Sequence, residues 1–392
     1  MRDIRQFCDA HYDWLMETIV ALVAAESPTT DRDAANRCGD LISALVRQQG
    51  GEVELVRSQG CGDHLVAGFG GGSGDRMLLL GHFDTVWPVG QLKRMPIREV
   101  EGRLHGPGVY DMKGGIGIGL LALRALAATG RLAERRVTML LTADEERGSA
   151  TSRTLVEDQA RPCGAVLVLE PGLPGGAVKT GRKGCGEFEL RIQGVAAHAG
   201  IDPSRGASAI DELAAQIGAI GALRSPERGV TLNVGIVEGG SRPNVVADSA
   251  RAVVDVRAGT MADAHRIEEA MQGLRPTIEG AALEVTGGFN RPPFERTPAV
   301  ARLYVTARAI AAELGRELGE GTTGGGSDGN FTGALGVPTL DGLGAVGDGA
   351  HALDEHLLTA ELTWRAALVA GLIDRLGTCG DAPSGVGSGE SA

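Results

Sequence analysis

Three short apolar runs in the first half of this sequence end in side chains able to ligate cations. Met77–Leu80 leads into Gly81-His82-Phe83-Asp84, Val137–Thr142 into Asp144-Glu145-Glu146, and Ala165–Leu169 into Glu170. Continuous apolar runs of this length read as strands buried on both faces. Glu52–Val56 and His64–Gly68 add two further short strands. Helical spacing predicts two helices ahead of these strands, over Trp14–Ala25 and Ala34–Gln48, and one among them, over Gly114–Ala128. Such alternation implies an α/β fold with a mostly parallel sheet covered by helices. In open sheets of that kind, ligands bind beyond the carboxyl ends of the strands. Ionised carboxylates are costly to bury unless paired or bound to a cation. Several of them at three such ends are therefore hard to explain as packing.

Each position has its own chemistry and its own plainer alternative. His82 and Asp84 lie two apart on an extended segment and point the same way. That suits a ligating imidazole oriented by a carboxylate, or a core histidine beside a surface acid. Asp111 sits in the Pro/Gly-rich loop Gly106–Gly115 that enters a helix. It could bridge two cations or be an incidental turn residue. Glu145 and Glu146 point apart, so one can ligate while the other faces a bound water as general base; a solvated acidic turn is the alternative. His351 stands in the Gly-rich stretch Gly347–His351. Together, His82, Asp111, Glu146, Glu170 and His351 offer one bridging carboxylate plus one imidazole and one carboxylate for each of two metals. That mixed nitrogen and oxygen set suits zinc, with cobalt or manganese as alternatives.

The texture changes near Lys179. A strand (Glu187–Gln193), a helix (Ser208–Leu223), two strands (Val230–Val237, Asp248–Arg257), a helix (Ala262–Leu274) and a strand (Ala282–Thr286) give βαββαβ, the order of a ferredoxin-like sandwich. The first style resumes after Arg291, with helices at Val300–Leu314 and Thr359–Leu376. We therefore divide the chain into a first catalytic part (1–178), an inserted domain (179–290), a second catalytic part (291–378) and a Gly/Ser-rich tail (379–392) that reads as disordered. The formal net charge of −12 argues against a nucleic-acid partner. No N-terminal apolar run suggests a signal peptide, and none suggests a membrane span. The six cysteines show no framework or CxxC spacing, so we expect reduced thiols in a cytoplasmic protein.

The motifs GHFDTV, GPGVYDMKGG, TADEE, VLEP, AAHAG, GGGSDGN and GAHALDEH follow one another along the chain. Their order resembles the zinc metallopeptidase family of glutamate carboxypeptidase, acetylornithine deacetylase, succinyl-diaminopimelate desuccinylase and aminoacylase. The resemblance runs from about Trp14 to about Leu376. From Asp84 to Gly115 it is strongest to the bacterial, folate-cleaving glutamate carboxypeptidases. It implies a di-zinc exopeptidase-like catalytic domain with an inserted dimerisation lid, and hence two Zn2+ per subunit in a homodimer. His82, Glu146, Glu170 and His351 correspond to terminal ligands and Asp111 to the bridging one. Asp84 corresponds to the orienter of His82, and Glu145 to the catalytic base. The resemblance also implies a cis peptide after Asp111. His198 matches a lid histidine that reaches the substrate across the dimer. Asn244 and Arg257 match positions that hold the substrate carboxylate, and Arg257 has a structural ion pair as its alternative. Ser327 lies in a loop that resembles a substrate-contacting one.

The activity implied is hydrolysis of an amide in a small peptide or N-acyl amino acid. A metal-bridging hydroxide attacks, Glu145 removes its proton, and a C-terminal amino acid of glutamate type is released. An N-acyl-amino-acid deacylase of the acetylornithine kind is the rival within the class. An inactive, metal-binding dimeric interaction protein is the rival outside it, and the intact Glu145-Glu146 pair speaks against that. One departure stands out. Gly181-Arg182-Lys183-Gly184 carries two cations where the folate-cleaving enzymes have small residues.

Overall fold

The computed structural model describes residues 1–377; the Gly/Ser-rich tail and Cys379 lie outside them. A central six-stranded sheet has the order Glu52–Val56, His64–Gly70, Arg136–Thr142, Arg76–His82, Cys163–Val168, Thr339–Leu340. The last four strands run parallel. The first two form an antiparallel edge. The sheet is thus mixed at one side, where two short strands joined by a loop replace a crossover helix.

Alternation along the parallel strands divides the core. Met77, Leu79, Met139, Leu141, Ala165 and Leu167 face a large cluster built with helices Arg2–Ala10, Tyr12–Ala24, Gly114–Ala128 and Leu362–Leu376. Leu78, Leu80, Leu140, Val166 and Val168 face a smaller one closed by Val156, Ala160 and Phe331. Burial on both faces explains why the sequence shows unbroken apolar runs here. Helix Arg2–Ala10 carries only Ile4 and Cys8 as buried residues, too sparse a pattern to announce itself.

The second sheet contains Gly184–Gln193, Thr231–Gly239, Ser249–Ala258 and Ala282–Arg291. Counted along the chain, its strands stand side by side in the order 2-3-1-4, and all pairs are antiparallel. With helices Ala209–Gly221 and Met261–Gln272 on one face, this is the ferredoxin-like arrangement. Phe188, Leu190 and Ile192 point into its core, while Glu187, Glu189 and Arg191 alternate outward. The last strand runs five residues beyond the apolar pattern to Arg291. Gly287 and Gly288 interrupt the pattern but not the ladder.

Candidate metal centre

Parallel pairing in register sets His82 beside Thr142. The loops leaving these two strands therefore emerge together, one bearing Asp84 and the other Glu145 and Glu146. Glu170 follows the neighbouring strand on the other side of His82. Asp111 arrives on the segment Val109–Lys113, before helix Gly114–Ala128. Its backbone is not helical (φ −115°, ψ 96°), and the Asp111–Met112 peptide bond is cis. His351 sits at the tip of a hairpin between Gly347–Asp348 and His356–Leu358, in a left-handed conformation (φ 63°) that histidine tolerates better than most residues.

The two imidazoles meet on opposite oxygens of one carboxylate. His82 Nε2 lies 3.2 Å from Asp111 Oδ1, and His351 Nε2 lies 3.5 Å from Asp111 Oδ2. His82 Nε2 is also 3.3 Å from Glu170 Oε1, and His351 Nε2 is 3.1 Å from Glu146 Oε2. Each imidazole thus faces the shared carboxylate and one of its own. His82 Nδ1 is 3.0 Å from the Asp84 carbonyl oxygen and donates to it, so Nε2 faces the centre and, once deprotonated, is the nitrogen free to ligate a cation. Glu145 joins His82 and Glu170 in a second group whose ligand atoms lie within 4.8 Å of one another.

The electrostatics of this pocket call for positive charge. Burial disfavours the charged form of His82, but Asp111, Asp84 and Glu170 outweigh it and hold the imidazole well above its usual range. Hydrogen bonding to Asp111 and Glu146 pushes His351 up to about 10. Burial raises both Glu145 and Glu146. Glu146 Oε1 is buried with no hydrogen-bond partner. An orphaned buried oxygen and protons drawn onto two imidazoles are what a pair of divalent cations would relieve. The donor set therefore fits two such ions, one at His82, Glu170 and Asp111, the other at His351, Glu146 and Asp111.

Residues 78–375 match the profile of peptidase family M20/M25/M40. The chain belongs to that family. It is accordingly a metal-dependent peptidase or amidohydrolase. The chain is 30% identical over 372 residues to carboxypeptidase G2 of Pseudomonas sp. (strain RS-16), covering 93% of this chain and 89% of that protein. It is 29% identical over 385 residues to succinyl-diaminopimelate desuccinylase of Stenotrophomonas maltophilia (strain R551-3), covering 92% and 99%. Among solved structures, the aminopeptidase PepT of Bacillus cereus matches with a TM-score of 0.78 at 22% identity, over 94% of this chain and 99% of that one. A dinuclear metal-binding M20 peptidase of Bacillus subtilis matches with a TM-score of 0.66 at 17% identity, over 94% and 99%. These likenesses establish the M20 fold. Among the described residues, no helix is long and apolar enough to cross a membrane.

Other candidate residues of this M20 chain lie apart from the cluster or are engaged elsewhere. His198 is exposed, and its Nδ1 accepts from Gly200 N–H. Asn244, also exposed, accepts from Ala199 N–H through its backbone. Arg257 pairs with Asp255 at 2.7 Å and donates to Cys185 Sγ. Ser327 is fully buried and donates to Asp341.

Several residues not assigned to the centre from the sequence shape the site. Glu355 accepts from Trp87 Nε1, Gly108 N, Tyr110 N and Asp111 N at 2.9 to 3.1 Å, tying down the Asp111 loop. The only trace of this in the sequence is an acid four residues after His351. Arg291, the last residue of strand Ala282–Arg291, binds Glu145 Oε1 at 2.9 Å and Asp328 Oδ1 at 2.8 Å. Arg182 grips both oxygens of Asp341 and reaches Glu170 Oε2 at 3.3 Å. Lys179 is 7% exposed; its backbone pairs with that of Asp341 at 2.8 and 3.1 Å, while its ammonium makes no hydrogen bond or ion pair among the described residues. Its ammonium feels Asp341, Glu170 and Asp111, while burial and Arg182 pull its pKa down.

Proposed function

We propose that this chain is a di-zinc amide hydrolase that releases a C-terminal amino acid of glutamate type from a peptidyl or N-acyl group. The observation that carries the reading is the shared Asp111 carboxylate, with an imidazole on each oxygen and Glu145 beside it. His82, Glu170 and Asp111 would hold one zinc, and His351, Glu146 and Asp111 the other. Bound zinc would acidify a coordinated water and polarise the scissile carbonyl. The residues of the chain do the rest. Asp84 holds His82 in its Nδ1–H tautomer. Glu145 takes the proton of the attacking water and delivers it to the leaving nitrogen. Burial raises the Glu145 carboxyl above its usual range, and its place beside His82 and Glu170 lets it both accept and return a proton. Arg291 fixes one of its oxygens, leaving the other to act.

Lys179 favours an acidic substrate. Its ammonium lies near Glu170 and Asp111 with burial pulling its pKa down, and a substrate carboxylate would hold it charged. This supports glutamate as the released residue. It supports equally a second reading, removal of an acidic acyl group, which is the activity named for the desuccinylase relative. A zinc-loaded panel of an N-acyl-glutamate, N-succinyl-diaminopimelate, N-acetylornithine and neutral dipeptides separates the two. Preference for the first compound supports the carboxypeptidase reading and preference for the second the deacylase. Turnover of neutral dipeptides alone contradicts both. We also propose a homodimer in which the exposed His198 and Asn244 of one subunit complete the partner's site. Sedimentation at micromolar concentration should give a dimer, and a monomer with full turnover would sink this.

A further inference from the structure

A buried polar cluster lies directly beneath the turn that carries Glu145 and Glu146. Cys61, His64 and Asp144 are 2%, 1% and 4% exposed, and their ligand atoms lie within 4.8 Å of one another. The set resembles a third cation site, but its hydrogen bonds have a different logic. Ala143 N–H can only donate, and it lies 3.2 Å from His64 Nδ1. That nitrogen therefore gives up its lone pair, and the ring proton sits on Nε2. Nε2 is 3.0 Å from Thr151 Oγ1, and the Thr151 hydroxyl donates to Asp144 Oδ2 at 2.7 Å. The backbone N–H of Thr151 donates to the same oxygen at 2.7 Å. Donation runs one way, from His64 to Thr151 to Asp144. A cation on either imidazole nitrogen would have to break a link of that chain.

We propose that His64 and Thr151 are positioning residues for the catalytic turn. The inference rests on Glu145 as base and Glu146 as ligand. Residues 143 and 144 immediately precede those two side chains; His64 holds the Ala143 N–H and Thr151 the Asp144 carboxylate, and together they fix where both catalytic carboxylates point. The turn is held at its other end by Asp84, which accepts from the N–H groups of Glu145 and Glu146, each at 3.3 Å. Asp144 O closes the loop by accepting from Arg147 and Ser149 N–H. Asp84 and the His64–Thr151 relay therefore act as two clamps on one short span. Releasing the lower clamp lets the turn shift, and displacements of about 1 Å near a reacting centre can cost about 100-fold in rate.

The test uses Thr151→Val, which removes the hydroxyl but keeps the shape and the backbone N–H, and His64→Leu, with Thr151→Ser as the rescue. The substrate is an N-acyl-glutamate, and Co2+ binding is titrated on the metal-free protein in parallel. Both variants should lose about 10–100-fold in kcat, with KM within about twofold, and should bind the Glu146-side cobalt about 10-fold more weakly. Thr151→Ser should restore both readouts. If kcat and cobalt affinity both stay within about twofold of wild type in Thr151→Val, the proposal is overturned. A serine variant as impaired as valine overturns it too, as does a third equivalent of cobalt with a thiolate charge-transfer band from Cys61. Cobalt affinity separates this inference from the functional reading. A wild-type protein inert on every amide, with the valine effect on cobalt intact, removes the assigned activity and leaves the clamp standing.

Discussion

Replacing Glu355 by Gln changes one atom type in a buried carboxylate and disrupts the loop that presents Asp111. In the native chain Oε1 accepts from Tyr110 N and Asp111 N, while Oε2 accepts from Trp87 Nε1 and Gly108 N. Whichever way the new amide turns, two N–H donors meet an NH2 group. Glu355 is 1% exposed, so water cannot take over without rearrangement. An unsatisfied buried donor costs about 1–3 kcal/mol, which gives about 2–6 kcal/mol for two. Burial also pushes the Glu355 carboxyl up. The neutral amide escapes that desolvation cost, which brings the expected loss to about 2–4 kcal/mol. Urea denaturation of the metal-free protein, followed by tryptophan fluorescence, measures it free of metal linkage. Metal affinity should fall about 10-fold in the same variant, because the bridging carboxylate loses its support. A stability loss below about 1 kcal/mol with unchanged metal affinity would refute the reasoning.

Further perturbations address other parts of the account. Glu145→Gln should keep the metal stoichiometry and lower kcat about 10²–10⁴-fold; turnover near wild type would remove Glu145 as the base. Lys179→Met should lower kcat/KM for an acidic substrate about 10–100-fold, the worth of a charged hydrogen bond, while a neutral dipeptide is unaffected; equal losses on both would contradict an anion-binding role. The carboxylates hold His82 and His351 protonated in the metal-free chain, so metal binding must expel protons and affinity must rise with pH. Calorimetry in two buffers of different ionisation enthalpy should detect that release, and identical heats would count against it. Phe188→Ala empties the centre of the inserted domain and should destabilise it by about 3–5 kcal/mol, read by limited proteolysis.

The elements that were legible in the sequence are those fixed by local pattern. The unbroken apolar strands announced a sheet covered on both faces, and their polar ends marked where His82, Glu146 and Glu170 would emerge. The approach of His351 to Asp111 was not legible from spacing, because a hairpin 240 residues away supplies it. The sequence offered His351 only as one member of a scattered set of ligand types, and the resemblance gave it a place beside Asp111. Glu355 and Arg291 were illegible for a related reason, and Arg182 showed only as an added cation, not as a partner of Glu170 and Asp341. Each is a charged residue whose burial depends on partners far along the chain, and such residues look like solvated surface until the partners are known. The strand ending at Arg291 was cut short because Gly287 and Gly288 lack side chains to carry a pattern, whereas its hydrogen bonds need none. His64 looked like an ordinary strand residue, and its role follows only from the backbone N–H of Ala143 that points at it.

The claim on which the rest depends is that one carboxylate joins two cation sites. Anomalous diffraction at the zinc edge from crystals of the zinc-loaded protein tests it directly. We expect two peaks per chain, one on each side of the Asp111 carboxylate, with His82 and Glu170 at the first and His351 and Glu146 at the second. A single peak, or density at Cys61, His64 and Asp144 in place of the Asp111 pair, would contradict the account.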